Sequence, residues 1–543
     1  MFRHATPTAD MPKGWWNSRW FLLAMLLATI VPLIWPTVPP LTDLPGHMGR
    51  YRVELSAPDS LLRTRYYGFH WAFIANLGVD LLIVPMSKLF GLELGVKLIV
   101  MAIPPLTALG TLWIAHEAHG RVPPTALFAL PLAYNYPFIW GFANFLLSMA
   151  LALNAYALWL RLGRQRRWRL RHALFVPIGL LLTVCHIFGW AVLCLLAYGA
   201  EIVRARDSGR GLVASLWFGG LACLSLAPPV LLMVVWRSGD VNGRNYDWFW
   251  WYAKYVYLVS VLRNHWMRLD LANVYLLGGL VALGLAGLWV RMNRTLGIAA
   301  VMLILAYILL PRILLSSAYA DMRLAPYMVI VAVAALALKS PSRRQAATVA
   351  LVASAIFLGR MAMLTVDFAQ KNAANAHQLE ALDHVRPGSR IFVEVSLQCL
   401  GKWETTRMDH LGAMGIVRRG AFVNGQWTDP GAQLLTIRYA PAKGYAEDPT
   451  EILRPYPCRQ WHAKTYPEGL NHLPLNAFDY VWLIDMPRQR WNSFPGLVPI
   501  WTGGDRGILC RVVPPGPGDP TTPAGWATRA SDTPKGSQPR AAK

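Results

Sequence analysis

Apolar runs long enough to cross a bilayer recur from Trp20 to Val366, and short clusters of arginine and lysine separate them. A helix needs about 20 predominantly apolar residues to span, and cationic loops stay on the cytoplasmic side. The runs fall at 20–38, 94–115, 123–138, 142–160, 172–200, 212–236, 273–290, 297–315, 324–338 and 346–366. Such a chain must bury its backbone polar groups in helices, so the expected fold is mainly α. Composition agrees: 55% of the residues are hydrophobic and 15% charged, against roughly 45–50% and 25% in soluble domains. The net charge of +23 does not mark a nucleic-acid binder. Its arginines sit between apolar runs, as from Arg161 to Arg171, where topology and anionic headgroups account for them.

Residues 172–200 test the topology. They exceed one crossing and fall short of two, yet basic residues flank both ends, Arg161–Arg171 before and Arg204, Arg206 and Arg210 after. The interruption Cys185-His186-Ile187-Phe188-Gly189 therefore favours a broken hairpin with His186 near its bend, the alternative being a single long span. Counting it as two segments gives about 11 transmembrane segments and places Arg291, Arg294, Lys339, Arg343 and Arg344 inside. The larger outer connections are then 39–93, 237–272 and 316–323, and the stretches at Phe69–Gly91 and Asp247–Arg268 read as interfacial helices. Arg3, Lys13 and Arg19 precede the first run, which reads as an uncleaved span.

The expected domains are a membrane domain at 1–366, a small α/β domain at 367–513 and a disordered Pro-rich tail at 514–543. A helix at His377–His384 leads to strands at Arg390–Val395, Leu434–Tyr439, Tyr480–Ile484 and Ile508–Val513. Parity puts this domain in the periplasm. There, two of Cys399, Cys458 and Cys510 are available to pair. No P-loop, dinucleotide fingerprint or metal-type Cys/His spacing is present.

The polar knot Thr42-Asp43-Leu44-Pro45-Gly46-His47 emerges on the outer face directly after the first run. A carboxylate beside a bilayer is strengthened as a base, so Asp43 is the leading catalytic candidate. His47 is its partner, as orienter or as second ligand of a divalent cation, although Pro45-Gly46 argues against a regular helix between them. No other cofactor is expected, and the sequence does not fix a metal site. Arg323, at the mouth of a span, suits a phosphate leaving group, with Asp321 available to hold it. Arg50 and Arg52 are further candidates to bind the donor phosphate: with Arg244, Arg263 and Arg268 they add outer positive charge against the positive-inside trend, as an anionic ligand on that face would require. His186, Asn144 and Tyr136 complete the set as cavity residues, with helix-to-helix hydrogen bonding as the alternative reading.

These features together resemble the multi-spanning C-type glycosyltransferases, which use polyprenyl-phosphate-linked sugars. The resemblance rests on one first span, an acid directly after it, interfacial helices in the outer loop, a hairpin with cytoplasmic ends and a soluble C-terminal domain. Leu41-Thr-Asp43-Leu-Pro45-Gly-His47 and Tyr134-Asn-Tyr-Pro-Phe-Ile-Trp-Gly141-Phe-Ala-Asn144 look like uncharacterised bacterial members. It implies a multi-pass protein of the bacterial inner membrane that takes a lipid-linked sugar donor. The acceptor is an unidentified envelope glycan, lipid or protein; membrane lipids are the other partners. Asp43 takes the place of the family's catalytic acid and Arg323 that of its phosphate-gripping base. Many members carry two adjacent acids in the first loop, whereas Asp43 has no acidic neighbour. The competing class is a non-enzymatic transporter or scaffold for lipid-linked saccharides; the two similar halves common in transporters are not visible here.

Overall fold

The computed structural model describes residues 12–235, 245–314, 317–397, 403–428, 433–454, 464–465, 474–490 and 496–513. The expected tail at 514–543, Arg244, and the pairing of Cys399 or Cys458 lie outside the described residues; Cys510 is a free, buried thiol. The chain forms two compact units. One contains Met1–Pro36, Phe73–Leu89 and Leu94–Ala369, and the other Thr37–Ala72, Phe90–Glu93 and Gln370–Lys543.

The first unit is a helical bundle. Among the described residues, six helices are long and apolar enough to cross a membrane: Leu92–His119, Ala143–Arg164, Trp168–Cys185, Ile187–Asp207, Met267–Leu285 and Arg343–His384. A seventh crossing is supplied if the pair Leu212–Ala222 and Leu224–Leu232, bent by 45°, counts as one. Arg19–Ala28 and Arg294–Leu309 are shorter apolar helices, and Ala320–Ala334 has 15 residues. The run expected to span at 123–138 is instead a 3-10 stretch, Pro124–Tyr134, followed by the short helix Tyr136–Trp140. Pro123, Pro124, Pro131 and Pro137 remove the N–H groups an α-helical ladder needs. The stretch is buried throughout, the setting in which irregular backbone survives among membrane helices.

The hairpin at His186 is two full helices. The sequence estimate came out short because it excluded the basic flanks, which are themselves helical: Trp168–Cys185 has 18 residues and Ile187–Asp207 has 21. Arg171, near the start of the first helix, meets Glu201, near the end of the second, at 2.7 Å. The far ends therefore lie side by side, and the helices run antiparallel. Glu201 also accepts from Trp159 Nε1 at 2.9 Å and pairs with Arg204 at 2.6 Å, while the Arg171 guanidinium stacks 3.9 Å from the Trp159 ring centroid. At the bend, the Ser148 hydroxyl donates to the His186 carbonyl (2.8 Å). Only glycine fits at 189, where a Cβ would stand 2.0 Å from Ser148 Oγ and 2.7 Å from its carbonyl oxygen.

Of the two expected interfacial segments, the first contains the helix Gly78–Phe90, which buries Val79, Asp80 and Ile83 and exposes Leu81, Leu82 and Leu89. The second contains Trp251–Val259, with Trp251, Tyr252 and Tyr255 exposed and Lys254 buried.

The second unit is α/β. Among the described residues seven strands form its main sheet. Arg390–Ser396 lies at the centre, parallel to Tyr480–Pro487 on one side and to Phe422–Val423 and Ile452–Arg454 on the other. Arg506–Val512 and Leu497–Thr502 extend it antiparallel, and Lys464–Thr465 closes the far edge. The early segment 37–72, expected with the membrane domain, packs in this unit. Tyr67–Phe69 pairs antiparallel with Leu435–Ile437, and the Tyr67 hydroxyl donates to the Val423 carbonyl (2.7 Å).

Arg390 and Asp479 fasten the start of the central strand. The Arg390 backbone N–H and Nε both donate to Asp479 Oδ2 at 2.9 Å. Burial pushes the Asp479 carboxyl up, but hydrogen bonds from the Arg390 side chain and backbone outweigh it and hold the group below the usual carboxylate range. A depressed pKa contributes stability that is present above the unfolded value near 4 and lost as pH falls through the folded one. Asp479→Asn is therefore expected to flatten the acid limb of the unfolding midpoint below about pH 4, a change read by thermal melts across pH.

Candidate functional site

The knot after the first apolar run is a helix, Leu44–Glu54, with Asp43 at its N-cap position. Pro45 does not prevent this. It sits in the first turn, where its missing N–H has no intrahelical acceptor to lose. Asp43 and His47 are therefore one turn apart, and the His47 N–H donates to the Asp43 carbonyl at 3.1 Å. The Asp43 side chain makes no capping hydrogen bond to its own helix.

The knot is held against a later segment of the second unit. Thr42 Oγ1 donates to the Thr406 carbonyl (2.6 Å), and Arg407 donates to the Pro40 carbonyl (2.6 Å). These tie the knot to the segment carrying Asp409 and His410. Asp43 Oδ1 lies 3.8 Å from His410 Nε2. Trp427 stands beside both imidazoles, its ring centroid 4.4 Å from that of His410 and 5.1 Å from that of His47. The close approach needs small residues: a Cβ on Gly46 would meet the Trp427 ring at 2.5 Å, and one on Gly49 would meet Gln426 Nε2 at 2.7 Å.

On its other nitrogen, His410 Nδ1 lies 3.3 Å from Glu451 Oε1. Glu451 precedes the strand Ile452–Arg454, and its carbonyl accepts from Val395 N of the central strand at 2.6 Å. Asp409, His410, Asn424, Gly425 and Glu451 line a small hollow partly open to solvent. Burial pushes the Glu451 carboxyl up to about 7; contacts with Asp448 and its own backbone pull it back, and the Asp409 charge adds to the rise. The hollow thus gathers carboxylates around an imidazole whose other nitrogen lies beside the expected catalytic acid. Such a set suits proton transfer or cation binding.

Arg50 and Arg52 also belong to this unit. Arg50 is buried, donates to Gln433 and stacks on Tyr51 at 5.0 Å, whereas Arg52 is exposed.

The remaining expected residues lie in the first unit. The Arg323 guanidinium sits 4.2 Å from the Phe142 ring centroid and 5.8 Å from that of Phe145. The His186 ring lies 5.5 Å from Phe145, so the structure gathers these two around one aromatic side chain. His186 is also a cap, its Nδ1 accepting from Phe188 N at 3.2 Å. Asp321 pairs with a residue other than the expected Arg323. Its Oδ2 lies 3.4 Å from Lys254 Nζ, which also donates to the carbonyls of Tyr307 and Leu310. A buried ammonium in apolar surroundings needs such a counter-charge. Asn144 clamps the Gly78–Phe90 helix, accepting from Val79 N (2.6 Å) and donating to Asp80 Oδ2 (2.8 Å) and the Asn76 carbonyl (2.7 Å). Tyr136 lies under the Arg263 guanidinium at 5.2 Å.

Sequence reasoning did not single out His410, Glu451, Asp448, Asp409, Trp427 or Lys254. Two cues were present, the adjacent Asp409-His410 and the pair Asp448 and Glu451 three residues apart.

No protein-family model matches the chain, and no curated protein matches it by sequence. Among solved structures it is similar to ArnT from Cupriavidus metallidurans bound to undecaprenyl phosphate, with a TM-score of 0.51 and 13% identity over 92% of this chain and 99% of that one. The apo form of the same protein gives a TM-score of 0.49 at 13% identity. The likeness to the lipid-bound form shows a shared fold, in keeping with the polytopic bundle and α/β region expected from sequence.

Proposed function

We propose that the chain is a membrane glycosyltransferase that moves a sugar from a polyprenyl-phosphate donor to an envelope glycan, lipid or protein acceptor. The observation that carries this reading is the fold it shares with ArnT, a protein crystallised with undecaprenyl phosphate. Asp43, which follows the first apolar run and lies 3.8 Å from the His410 imidazole, adds support. In the reaction, the Asp43 carboxylate takes the proton of an acceptor hydroxyl as that oxygen bonds to the anomeric carbon. The bond from that carbon to the phosphate oxygen breaks, and the polyprenyl phosphate leaves with the electron pair. A cationic group of the protein offsets its developing charge. The chemistry takes place on the extracytoplasmic face of a bacterial inner membrane, with the C-terminal unit in the periplasm.

The test is mass spectrometry of lipid-linked sugars and envelope glycans in cells with and without the protein. Its loss is expected to remove one sugar from an envelope component and to raise the corresponding lipid-linked donor. A transporter would instead strand the lipid-linked sugar on the cytoplasmic leaflet, and a scaffold would leave both pools unchanged.

A further inference from the structure

We propose that His410, Asp448 and Glu451 form a binding site for one divalent transition-metal cation, Zn2+ or Mn2+, in the second unit. One ligand atom from each of the three lies within 4.8 Å of the others. His410 Nδ1 and Glu451 Oε1 are 3.3 Å apart, about the separation of two adjacent ligands that each hold an ion at ~2.0–2.2 Å. Yet they do not hydrogen-bond to each other. His410 Nδ1 is buried without a hydrogen-bond partner, and the buried Glu451 carboxylate has the acid Asp448 as its side-chain neighbour. Glu451 as a whole is 3% exposed. The two groups converge as an ion pair when the imidazole is protonated, and a cation between them takes the place of that proton.

The surroundings agree. Asp409, 9% exposed, lines the same hollow, and its Oδ1 is likewise buried without a partner. Carboxylates buried together repel one another unless a cation or a shared proton offsets them. The loop on the far side is shaped to the carboxylate: Gly425 has φ +85°, and a Cβ there would stand 2.6 Å from Glu451 Oε2. An imidazole with carboxylates favours zinc or manganese over the oxygen-only sets typical of calcium and magnesium. Metal-bound histidine commonly turns its second nitrogen to a carboxylate, which fixes the ring. Here His410 Nε2 faces Asp43 at 3.8 Å. The cation would thus fix the imidazole that adjoins the proposed base, a positioning role beside the reaction.

The test uses the full chain purified in detergent, equilibrated with ZnCl2 or MnCl2, freed of unbound ion and measured by inductively coupled plasma mass spectrometry. About one ion per chain is expected in the wild type. Glu451→Gln and His410→Asn are each expected to weaken binding at least 10–100-fold. Asp448→Asn, at a less buried position, serves as the variant least prone to misfold, and elution profiles check all three. Retention below a tenth of an ion by well-folded wild type overturns the proposal, as does equal retention by the wild type and Asp448→Asn. No sugar donor is present, so metal binding and glycosyl transfer fail independently of one another.

Discussion

Replacing Asp43 by asparagine is expected to lower sugar turnover by about 10²–10⁴-fold, the range for removing a general base. Asparagine keeps the volume and the planar side chain but cannot take a proton from an acceptor hydroxyl. The backbone should tolerate the change, because the Asp43 side chain caps nothing and Pro45 already sets the first turn of its helix. The loss should therefore appear in kcat, with KM for the lipid-linked donor within a few-fold of wild type. Single-turnover measurements with purified protein separate the two. If kcat survives in Asp43→Asn, the acid is an ordinary helix-start residue and the transferase reading loses its base.

Glu201→Gln is expected to destabilise the first unit by about 3–5 kcal/mol, the cost of removing one partner of a buried ion pair. Arg171 is 1% exposed and would keep its charge in the packed bundle, stacked on Trp159 but without the carboxylate at 2.7 Å. Glutamine can still accept one hydrogen bond, so the loss isolates the charge. The exposed pair Arg294–Asp207 provides the contrast. Asp207→Asn should cost at most about 1 kcal/mol. Residual monodisperse protein after heating, read by size-exclusion chromatography, distinguishes the two variants. Equal melting of both would remove Glu201 as the fastener of the hairpin.

The hairpin was legible because a histidine and a glycine interrupt an apolar run between two cationic clusters, and both helix periodicity and charge placement are local signals. Asp43 was legible for the same reason, as an acid at the end of the first apolar run. Its surroundings were not. His410 and Glu451 come from loops separated from the knot by most of the chain, and no fixed spacing announces them. The run at 123–138 misled in the opposite sense: its hydropathy fits a span, while its prolines forbid the α-helical ladder. Asp321 shows the limit of reasoning from neighbours in sequence, since its partner Lys254 lies on another helix.

The joining of residues 37–72 with the C-terminal third has a consequence for how the protein is made. Roughly 300 residues separate that early segment from the start of its partner. At ~5–20 residues per second, a ribosome needs about 15–60 s to bridge the gap. Throughout that interval Tyr51, Tyr66 and Tyr67, each nearly fully buried in the finished fold, lack the surfaces that cover them. A chain stalled or cut before Gln370 would carry the acid but not its surroundings. Quality control of nascent chains would thus act on this segment first, before any substrate could reach it.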